Sequence, residues 1–336
     1  MENHTNLPLS PADEKLILQH REIFSKPVKI RLVLDDDPAS QKMSSFCEQL
    51  VTLLPAIRLI QESADGELSG IFLSDNIHFM MVPTGKLLEA FLLALHGNET
   101  LAGQDMGVDA SELNARFTVP AILKIYVIDD CPYCGKAVPK GLFLAGAAAS
   151  KVHIRIIDAL MFPELAKSDK VKSAPATIMD DTFRWTGDFK IEEVIEMIAG
   201  RDPVQLGYDT LKMMISSGDA ERVASLMDEY NTMIPAFRDL LTTEKWTERL
   251  GAMVAFEYLV EKNTALAGEV LDHLWEVFDT LDTAVMGDVL HLVGVLNQDS
   301  QDRRLKAVLE GEYPEVVRGV AGEVLRAGGR GKGREG

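Results

Sequence analysis

Two cysteines, Cys131 and Cys134, lie three positions apart in the stretch DDCPYCGKAV at residues 129–138. Thiols at this spacing can open and close a disulfide, supply half of a tetrahedral metal site, or fill space in a core. The third cysteine, Cys47, lies on the apolar side of a predicted helix, and the seven histidines show no paired spacing near the motif. Because a zinc site needs two more ligands, the sequence favours a redox pair and predicts no metal site.

A cysteine attacks a disulfide as the thiolate, so a reactive cysteine needs a lowered pKa. The apolar stretch that follows the motif predicts a helix beginning at the motif itself, with Pro132 at its first position. Unpaired backbone N–H groups and the positive end of the helix dipole would then stabilise a thiolate at Cys131, although Asp129 and Asp130 oppose this effect. We therefore expect Cys131 to be the exposed nucleophile and Cys134 to be the buried thiol that resolves a mixed disulfide.

The elements predicted around the motif follow the order strand, helix, strand, and then a β-hairpin and a helix. An almost wholly apolar strand, AILKIYVI (121–128), precedes the motif, as is typical of the centre of a sheet covered on both faces. The same order is predicted upstream, where Asp75 and Asn76 mark the hairpin turn. Residues 1–201 are therefore interpreted as two copies of one α/β unit, joined by the polar segment 98–118.

Beyond Arg201 the sequence shows helical periodicity alone, divided by turn residues into about eight short helices. Similar apolar patterns recur at intervals of about 30–40 residues, which favours an α-solenoid of about four helix pairs, similar to HEAT repeats. The glycine-rich, basic end of the chain predicts a disordered tail.

The motif CPYC has the form that is usual in glutaredoxins. The longer stretch IIDALMFPELAKSDKVKSAPATIMDD (156–181) resembles the second half of the tandem thioredoxin-fold protein disulfide oxidoreductases. It also resembles the N-terminal domain of the flavoprotein subunit of alkyl hydroperoxide reductase. The resemblance covers about residues 15–200. It implies the fold class α/β, with two tandem thioredoxin-like folds, to which an all-α HEAT-like domain is joined.

The resemblance also implies roles for single residues. Cys131 would be the nucleophile, Cys134 the resolving thiol, and Pro175 a cis proline close to the active-site sulfur. An extended substrate would contact Pro132, Tyr133 and Ala174, and Asp158 would relay a proton. The implied domains are an N-terminal helix and lead-in at 1–26, a thioredoxin-like fold without CxxC at 27–100, a thioredoxin/glutaredoxin-like fold with CPYC at 101–201, the HEAT-like domain at 202–326 and a Gly/Arg tail at 327–336.

The sequence departs from the resemblance at three points. The first copy has DDPASQKM where a CxxC would stand, so it should be redox-inactive. No glycine pair follows the second hairpin, where Thr186, Gly187 and Asp188 stand, so glutathione is not expected as the dedicated partner. No flavin or nicotinamide fingerprint occurs. We therefore expect no cofactor beyond the Cys131–Cys134 disulfide, and an external thiol reductase as electron donor.

Composition restricts the partners and the compartment. The 336 residues carry a net charge of −18, which argues against nucleic acid and anionic membranes as partners. No secretory signal and no apolar run of about 20 residues are found. Three cysteines do not make a disulfide-stapled secreted scaffold, so a reducing cytoplasm is expected.

Two functions are compatible with these observations. The first is a thiol–disulfide oxidoreductase of cell redox homeostasis, which reduces or exchanges protein disulfides such as those of a peroxiredoxin. The alternative is a scaffold, in which the HEAT-like domain binds partners and the thioredoxin-like part is a redox-sensitive docking module. An intact CPYC together with Pro175 favours the oxidoreductase, because a scaffold needs neither.

Overall fold

An eight-stranded mixed sheet organises the amino-terminal part of the chain. The computed structural model describes residues 9–65, 67–129, 131–149 and 151–331. The chain divides into two compact units between Arg201 and Asp202, which we call the amino-terminal and the carboxyl-terminal unit. Residues 1–8 of the predicted lead-in, Asp130 and residues 332–336 of the predicted tail lie outside the described residues.

The strands of the sheet follow the order β2-β1-β3-β4-β6-β5-β7-β8. They are β1 (Val28–Leu34), β2 (Ile57–Ser63), β3 (Gly70–Ser74), β4 (Ile77–Met80), β5 (Ala121–Val127), β6 (Val152–Asp158), β7 (Ala176–Met179) and β8 (Phe183–Thr186). We call β1–β4 and β5–β8 the first and second half-sheets. In each half-sheet the first two strands are parallel and the third and fourth strands form an antiparallel hairpin. Parallel pairing of β4 with β6 joins the two half-sheets.

Eight helices accompany the sheet. They are α1 (Pro11–Gln19), α2 (Pro38–Leu53), α3 (Leu88–His96), α4 (Asn98–Ala102), α5 (Leu113–Arg116), α6 (Cys134–Ala147), α7 (Pro163–Ser168) and α8 (Ile191–Gly200). Segment 98–118 was expected to be a polar connection, but it contains α4 and α5. The reason is that Leu101, Leu113 and Phe117 are buried in the core.

Helix α1 begins with a capping box. The Asp13 backbone N–H donates to the Ser10 Oγ over 3.2 Å, and the Ser10 N–H donates to the Asp13 Oδ2 over 3.1 Å. The other carboxylate oxygen of Asp13 accepts from the Gly85 N–H over 2.9 Å. Helix α1 therefore also holds the loop between β4 and α3.

One hydrophobic core lies under both half-sheets and includes Cys131 and Cys134. Helix α6 approaches the sheet closely at Gly141. A Cβ atom at Gly141 would lie 2.5 Å from the Cδ1 of Ile154 and 2.6 Å from the Cδ1 of Ile125. Glycine at this position therefore lets the helix pack on β5 and β6, and this contact fixes the position of the helix that carries Cys134.

The carboxyl-terminal unit contains eight α-helices and no strand within residues 202–331. They are α9 (Tyr208–Ser216), α10 (Ala220–Tyr230), α11 (Pro235–Leu241), α12 (Trp246–Lys262), α13 (Thr264–Val277), α14 (Thr283–Leu296), α15 (Asp302–Glu310) and α16 (Glu315–Gly331). Helices α10, α12, α14 and α16 pack in succession, and α9, α11 and α13 pack in a second succession. The tail was expected to begin at residue 327, but α16 continues to Gly331, since each added residue of a helix contributes one more backbone hydrogen bond.

Within the described residues, no helix is both long and apolar enough to cross a membrane.

The hairpin of the first half-sheet is tied to the second half-sheet by Asn76, which is 5% exposed. Its side-chain amide donates to the carbonyl of Ala145 in α6 over 2.9 Å and to the carbonyl of Val152 in β6 over 3.0 Å. Its Oδ1 accepts from the Ser74 hydroxyl over 2.8 Å. One side chain thus connects a β-hairpin, the helix that carries Cys134 and a central strand.

We predict that Asn76→Ala lowers the free energy of unfolding by about 2 kcal/mol, because two buried carbonyl groups lose their donors. Urea unfolding followed by circular dichroism measures the loss, and hydrogen exchange should increase at the start of β6. Gln61→Ala removes an exposed amide of β2 and should change the stability by less than about 0.5 kcal/mol. Equal urea midpoints for Asn76→Ala and the unchanged protein would contradict this role of Asn76.

Candidate active site at the Cys131–Cys134 disulfide

Cys131 and Cys134 form a disulfide between the end of β5 and the start of α6, with their Cα atoms 5.5 Å apart. The helix begins at Cys134, not at Cys131, and Pro132 and Tyr133 lie in the turn before it. The expectation that Pro132 is the first helical residue was therefore wrong. The Cys134 N–H donates to the Cys131 Sγ over 3.1 Å. Because the first N–H groups of a helix have no partner within the helix, this sulfur occupies the place of a capping acceptor.

The two cysteines differ in accessibility, but neither is well exposed. Cys131 is 7% exposed and Cys134 is 1% exposed. The higher exposed fraction of Cys131 agrees with its expected role as nucleophile and with that of Cys134 as resolving thiol. The expectation that Cys131 is exposed was wrong. The reason is that both cysteines belong to the core under the sheet, and they meet the outside through a cleft.

This cleft has a volume of about 760 Å³ and is lined from both half-sheets. The first half-sheet supplies residues of α2 and of the loop after β4: Pro38, Gln41, Lys42, Ser45, Met81, Val82, Thr84, Gly85, Lys86 and Leu87. The second supplies Ile128, Asp129, Cys131, Cys134, Asp158, Leu160 and Met161. The strands that precede these loops, β1, β4, β5 and β6, run parallel to one another, so their carboxyl ends meet at one edge of the sheet.

The first half-sheet has a turn that corresponds to the disulfide turn, with oxygen-bearing side chains at the positions of the two cysteines. Asp37, Pro38, Ala39 and Ser40 follow two aspartates after β1, as Cys131, Pro132, Tyr133 and Cys134 follow two aspartates after β5. Asp37 caps α2, and its Oδ1 accepts from the Ala39 N–H over 2.8 Å. The Ser40 hydroxyl donates to the Asp35 carboxylate over 2.6 Å. A carboxylate therefore caps this helix, whereas at α6 the Cys131 sulfur accepts from the first N–H of the helix, and the turn of the first half-sheet has no thiol.

Cys47 lies in α2 and is fully buried, as expected of a core residue. Burial raises the pKa of the Cys47 thiol to about 12, so this thiol stays protonated at neutral pH. The described residues contain no group of three or more His, Cys, Asp or Glu side chains that could hold a metal ion.

Asp158 lines the cleft at the end of β6, where the sequence placed a proton relay. Its Oδ1 accepts from the backbone N–H groups of Leu160, over 2.8 Å, and Met161, over 3.2 Å. These bonds order the loop after β6, which forms one wall of the cleft.

The other residues expected at the site do not line the cleft. The Ala174–Pro175 bond is cis, as the family resemblance implies, and the Pro175 carbonyl accepts from the Gly187 N–H over 2.8 Å. Ala174 is half-buried against the core that contains both cysteines. Pro132 is exposed and Tyr133 is 57% exposed, beside the disulfide in sequence.

Sequence reasoning missed the wall of the cleft that the first half-sheet provides. Lys42 lies in the first turns of α2, and Lys86 lies in the loop after β4. A Cβ atom at Gly135, the second residue of α6, would lie 3.6 Å from the Cβ of Lys86 and 4.0 Å from its Cδ. The aliphatic part of Lys86 therefore runs along the first turn of the disulfide helix. The correspondence between DDDPASQK and DDCPYCGK was the available signal, since it places the start of α2 opposite the start of α6.

No protein-family model and no curated protein matches the chain. Among solved structures, the NTD N/C domain of alkylhydroperoxide reductase AhpF from Enterococcus faecalis is 22% identical, with 57% of this chain and 100% of that chain covered at a TM-score of 0.50. A mutant of AhpF from the same organism is 24% identical, with coverages of 57% and 99% and a TM-score of 0.49. A protein disulfide oxidoreductase from Aeropyrum pernix is 13% identical, with coverages of 56% and 92% and a TM-score of 0.49. The likeness to the first of these shows that rather more than half of the chain has a thioredoxin-like fold.

Proposed function

We propose that the protein is a thiol–disulfide oxidoreductase that reduces or exchanges protein disulfides through Cys131 and Cys134. The observation that carries the proposal is the disulfide at the start of α6, whose two sulfur-bearing residues line an open cleft. A structural disulfide would need no cleft. The N–H that points at the Cys131 sulfur supplies a donor for a thiolate there.

The reaction begins from the reduced pair. The Cys131 thiolate attacks one sulfur of the client disulfide, forms a mixed disulfide and releases the other client sulfur as a thiolate, which takes up a proton. Cys134 loses its proton, and its thiolate attacks the Cys131 sulfur, so that the Cys131–Cys134 disulfide forms and the second client thiol leaves. Two electrons pass from the pair to the client. An external dithiol reductase returns two electrons and two protons to the pair.

Three features support this division of roles between the two cysteines. Cys131 is the more accessible cysteine, and it receives the N–H bond at the helix start. Cys134 is sealed in the core, so its thiol meets the Cys131 sulfur before any other disulfide. In this proposal the backbone at Ala174 and Pro175 pairs with an extended client, Pro132 and Tyr133 contact that client, and Asp158 moves a proton.

We interpret the two half-sheets as tandem thioredoxin-like folds, of which only the second is redox-active. The repeated strand order and directions support this interpretation. The first fold has an aspartate and a serine in place of the cysteines, covers the edge strand β6 with β4, and forms the other wall of the cleft. It therefore acts as a docking surface for the client rather than as a second redox centre.

The carboxyl-terminal unit is, in this proposal, a HEAT-like solenoid that recruits partners in a reducing cytoplasm. The two successions of packed helices support a stack of helix pairs. An exposed apolar row on α12 favours a second candidate function, the scaffold: Trp246, Leu250 and Val254 lie four positions apart and are 52%, 44% and 38% exposed. A scaffold predicts partner binding that persists when both Cys131 and Cys134 are changed to serine.

We predict that the reduced protein accelerates the reduction of insulin by dithiothreitol, and that Cys131→Ser lowers the rate to that of dithiothreitol alone. A peroxiredoxin with thioredoxin reductase as donor provides a second assay. The matched control is Cys47→Ala, which removes the buried thiol outside the site and should leave the rate within about twofold, since that thiol stays protonated at neutral pH. Undiminished activity of Cys131→Ser would rule out this mechanism.

We also predict that Cys134→Ser accumulates a mixed disulfide between Cys131 and the client, because the resolving thiolate is missing. Non-reducing electrophoresis and mass spectrometry should show the adduct on Cys131, and dithiothreitol should release it. Cys131→Ser serves as the control and should form no adduct. The assigned roles would be reversed if the Cys131→Ser variant formed an adduct on Cys134 and the Cys134→Ser variant formed none on Cys131.

A further inference from the structure

Two lysines of the redox-inactive first half-sheet, Lys42 and Lys86, line the same cleft as the disulfide. Both side chains are exposed, and neither forms an ion pair with another residue in the described parts of the chain. They lie on two different elements, the first turns of α2 and the loop after β4. The cleft therefore presents two cationic groups that the redox chemistry itself does not use.

Lys86 is held in place from both sides. The preceding residue, Gly85, has a φ of 54° and donates its N–H to the Asp13 carboxylate over 2.9 Å. The stem of Lys86 lies along α6 at Gly135, one residue after Cys134. This arrangement places the stem of Lys86 beside the first turn of the disulfide helix, in the lining of the cleft.

Two acidic residues, Asp129 and Asp158, line the cleft as well, and both are already engaged. Asp158 accepts from the N–H groups of Leu160 and Met161, and Asp129 also has a partner. The amino-terminal ends of α2 and α6 both lie at the cleft, and their dipoles add positive potential. Both carboxylates keep their charge, so an incoming carboxylate can meet the two helix starts and the two lysines, which have no ion-pair partner within the described residues.

The net charge of the whole chain, −18, acts only weakly at the two lysines. The Debye length is about 8 Å at physiological ionic strength, so acidic groups on distant surfaces are screened from the cleft. A client that reaches Cys131 brings its own neighbouring side chains to within a few residues of the two lysines. Charges on those side chains then interact with the two ammonium groups at short range.

We propose that the cleft selects client disulfides flanked by carboxylates, with Lys42 and Lys86 as the residues that recognise them. This inference rests on the proposed function, because the recognised group must accompany a disulfide that reacts with Cys131. The client is a peptide segment with Asp or Glu next to its cysteines. The lysines bind the carboxylates in the encounter and in the mixed disulfide, and they take no part in the exchange of sulfur bonds.

The test uses three peptides of one sequence, each with one internal disulfide flanked by two Glu, two Gln or two Lys residues. We expect kcat/KM of the full-length protein to be roughly tenfold higher for the Glu peptide than for the Lys peptide. Most of the difference should lie in KM, and added salt should reduce it. Glutathione disulfide also carries carboxylates, but each half is only a tripeptide and offers no longer peptide segment to the cleft. It should therefore react with a lower kcat/KM than the Glu peptide. A higher value would overturn the assignment of a peptide client.

Variants of the lysines give the sharper test. The double variant Lys42→Met, Lys86→Met should react with the three peptides at nearly equal kcat/KM, and Lys42→Glu, Lys86→Glu should favour the Lys peptide. An unchanged rate with the Gln peptide shows that both variants keep their fold and their disulfide chemistry. Lys190→Met is the matched control, because Lys190 stands before α8, outside the cleft, with a side chain that is 79% exposed. It should keep the full preference for the Glu peptide.

The outcomes separate this inference from the proposed function. Turnover of all three peptides at equal rates, or a preference that survives the Lys→Met double variant, overturns the recognition by lysine and leaves the oxidoreductase intact. Failure to reduce even the Gln peptide overturns the proposed function, and the inference falls with it.

Discussion

The hydrogen bond from the Cys134 N–H to the Cys131 sulfur is the interaction on which the candidate site depends. It places the sulfur where the start of α6 offers an unpaired donor and where the helix dipole is positive. The corresponding position in the first half-sheet is taken by Asp37, the N-cap of α2, whose carboxylate accepts from the Ala39 N–H. Both turns therefore satisfy an N–H at a helix start with a side-chain acceptor, and of the two acceptors only the sulfur can form a disulfide.

The sheet determines the position of the disulfide turn. Helix α6 packs closely on β5 and β6 because Gly141 has no side chain, and Asn76 ties the other end of the helix to the first half-sheet. The parallel pairing of β4 with β6 then brings the ends of four strands to one edge, where the loops form the cleft. The disulfide is thus held by a rigid core on one side and opens on the other side to a wall built by the inactive half.

Much of this arrangement could be predicted from the sequence, because its signals are local. The order of strands and helices before Arg201 and the apolar strand before Cys131 follow from patterns among neighbouring residues, and the structure confirms these elements. The start of α6 was predicted two residues too early, since proline at a helix start and proline in the preceding turn look alike in sequence. The low exposure of Cys131 and the cleft wall with Lys42 and Lys86 were missed. Both depend on the pairing of β4 with β6, which no local pattern specifies.

The inactive first half explains why the site can be selective although its chemistry is generic. A dithiol on a single half-sheet offers a client the sulfur and the neighbouring groups of that same half-sheet. The second wall adds groups from a half-sheet whose turn has an aspartate and a serine where the other turn has cysteines. Because α2 and the loop after β4 flank strands of the same continuous sheet, the backbone positions of the two lysines are set relative to the disulfide. In the proposed function, charge on the first half-sheet can therefore determine which disulfides react at Cys131.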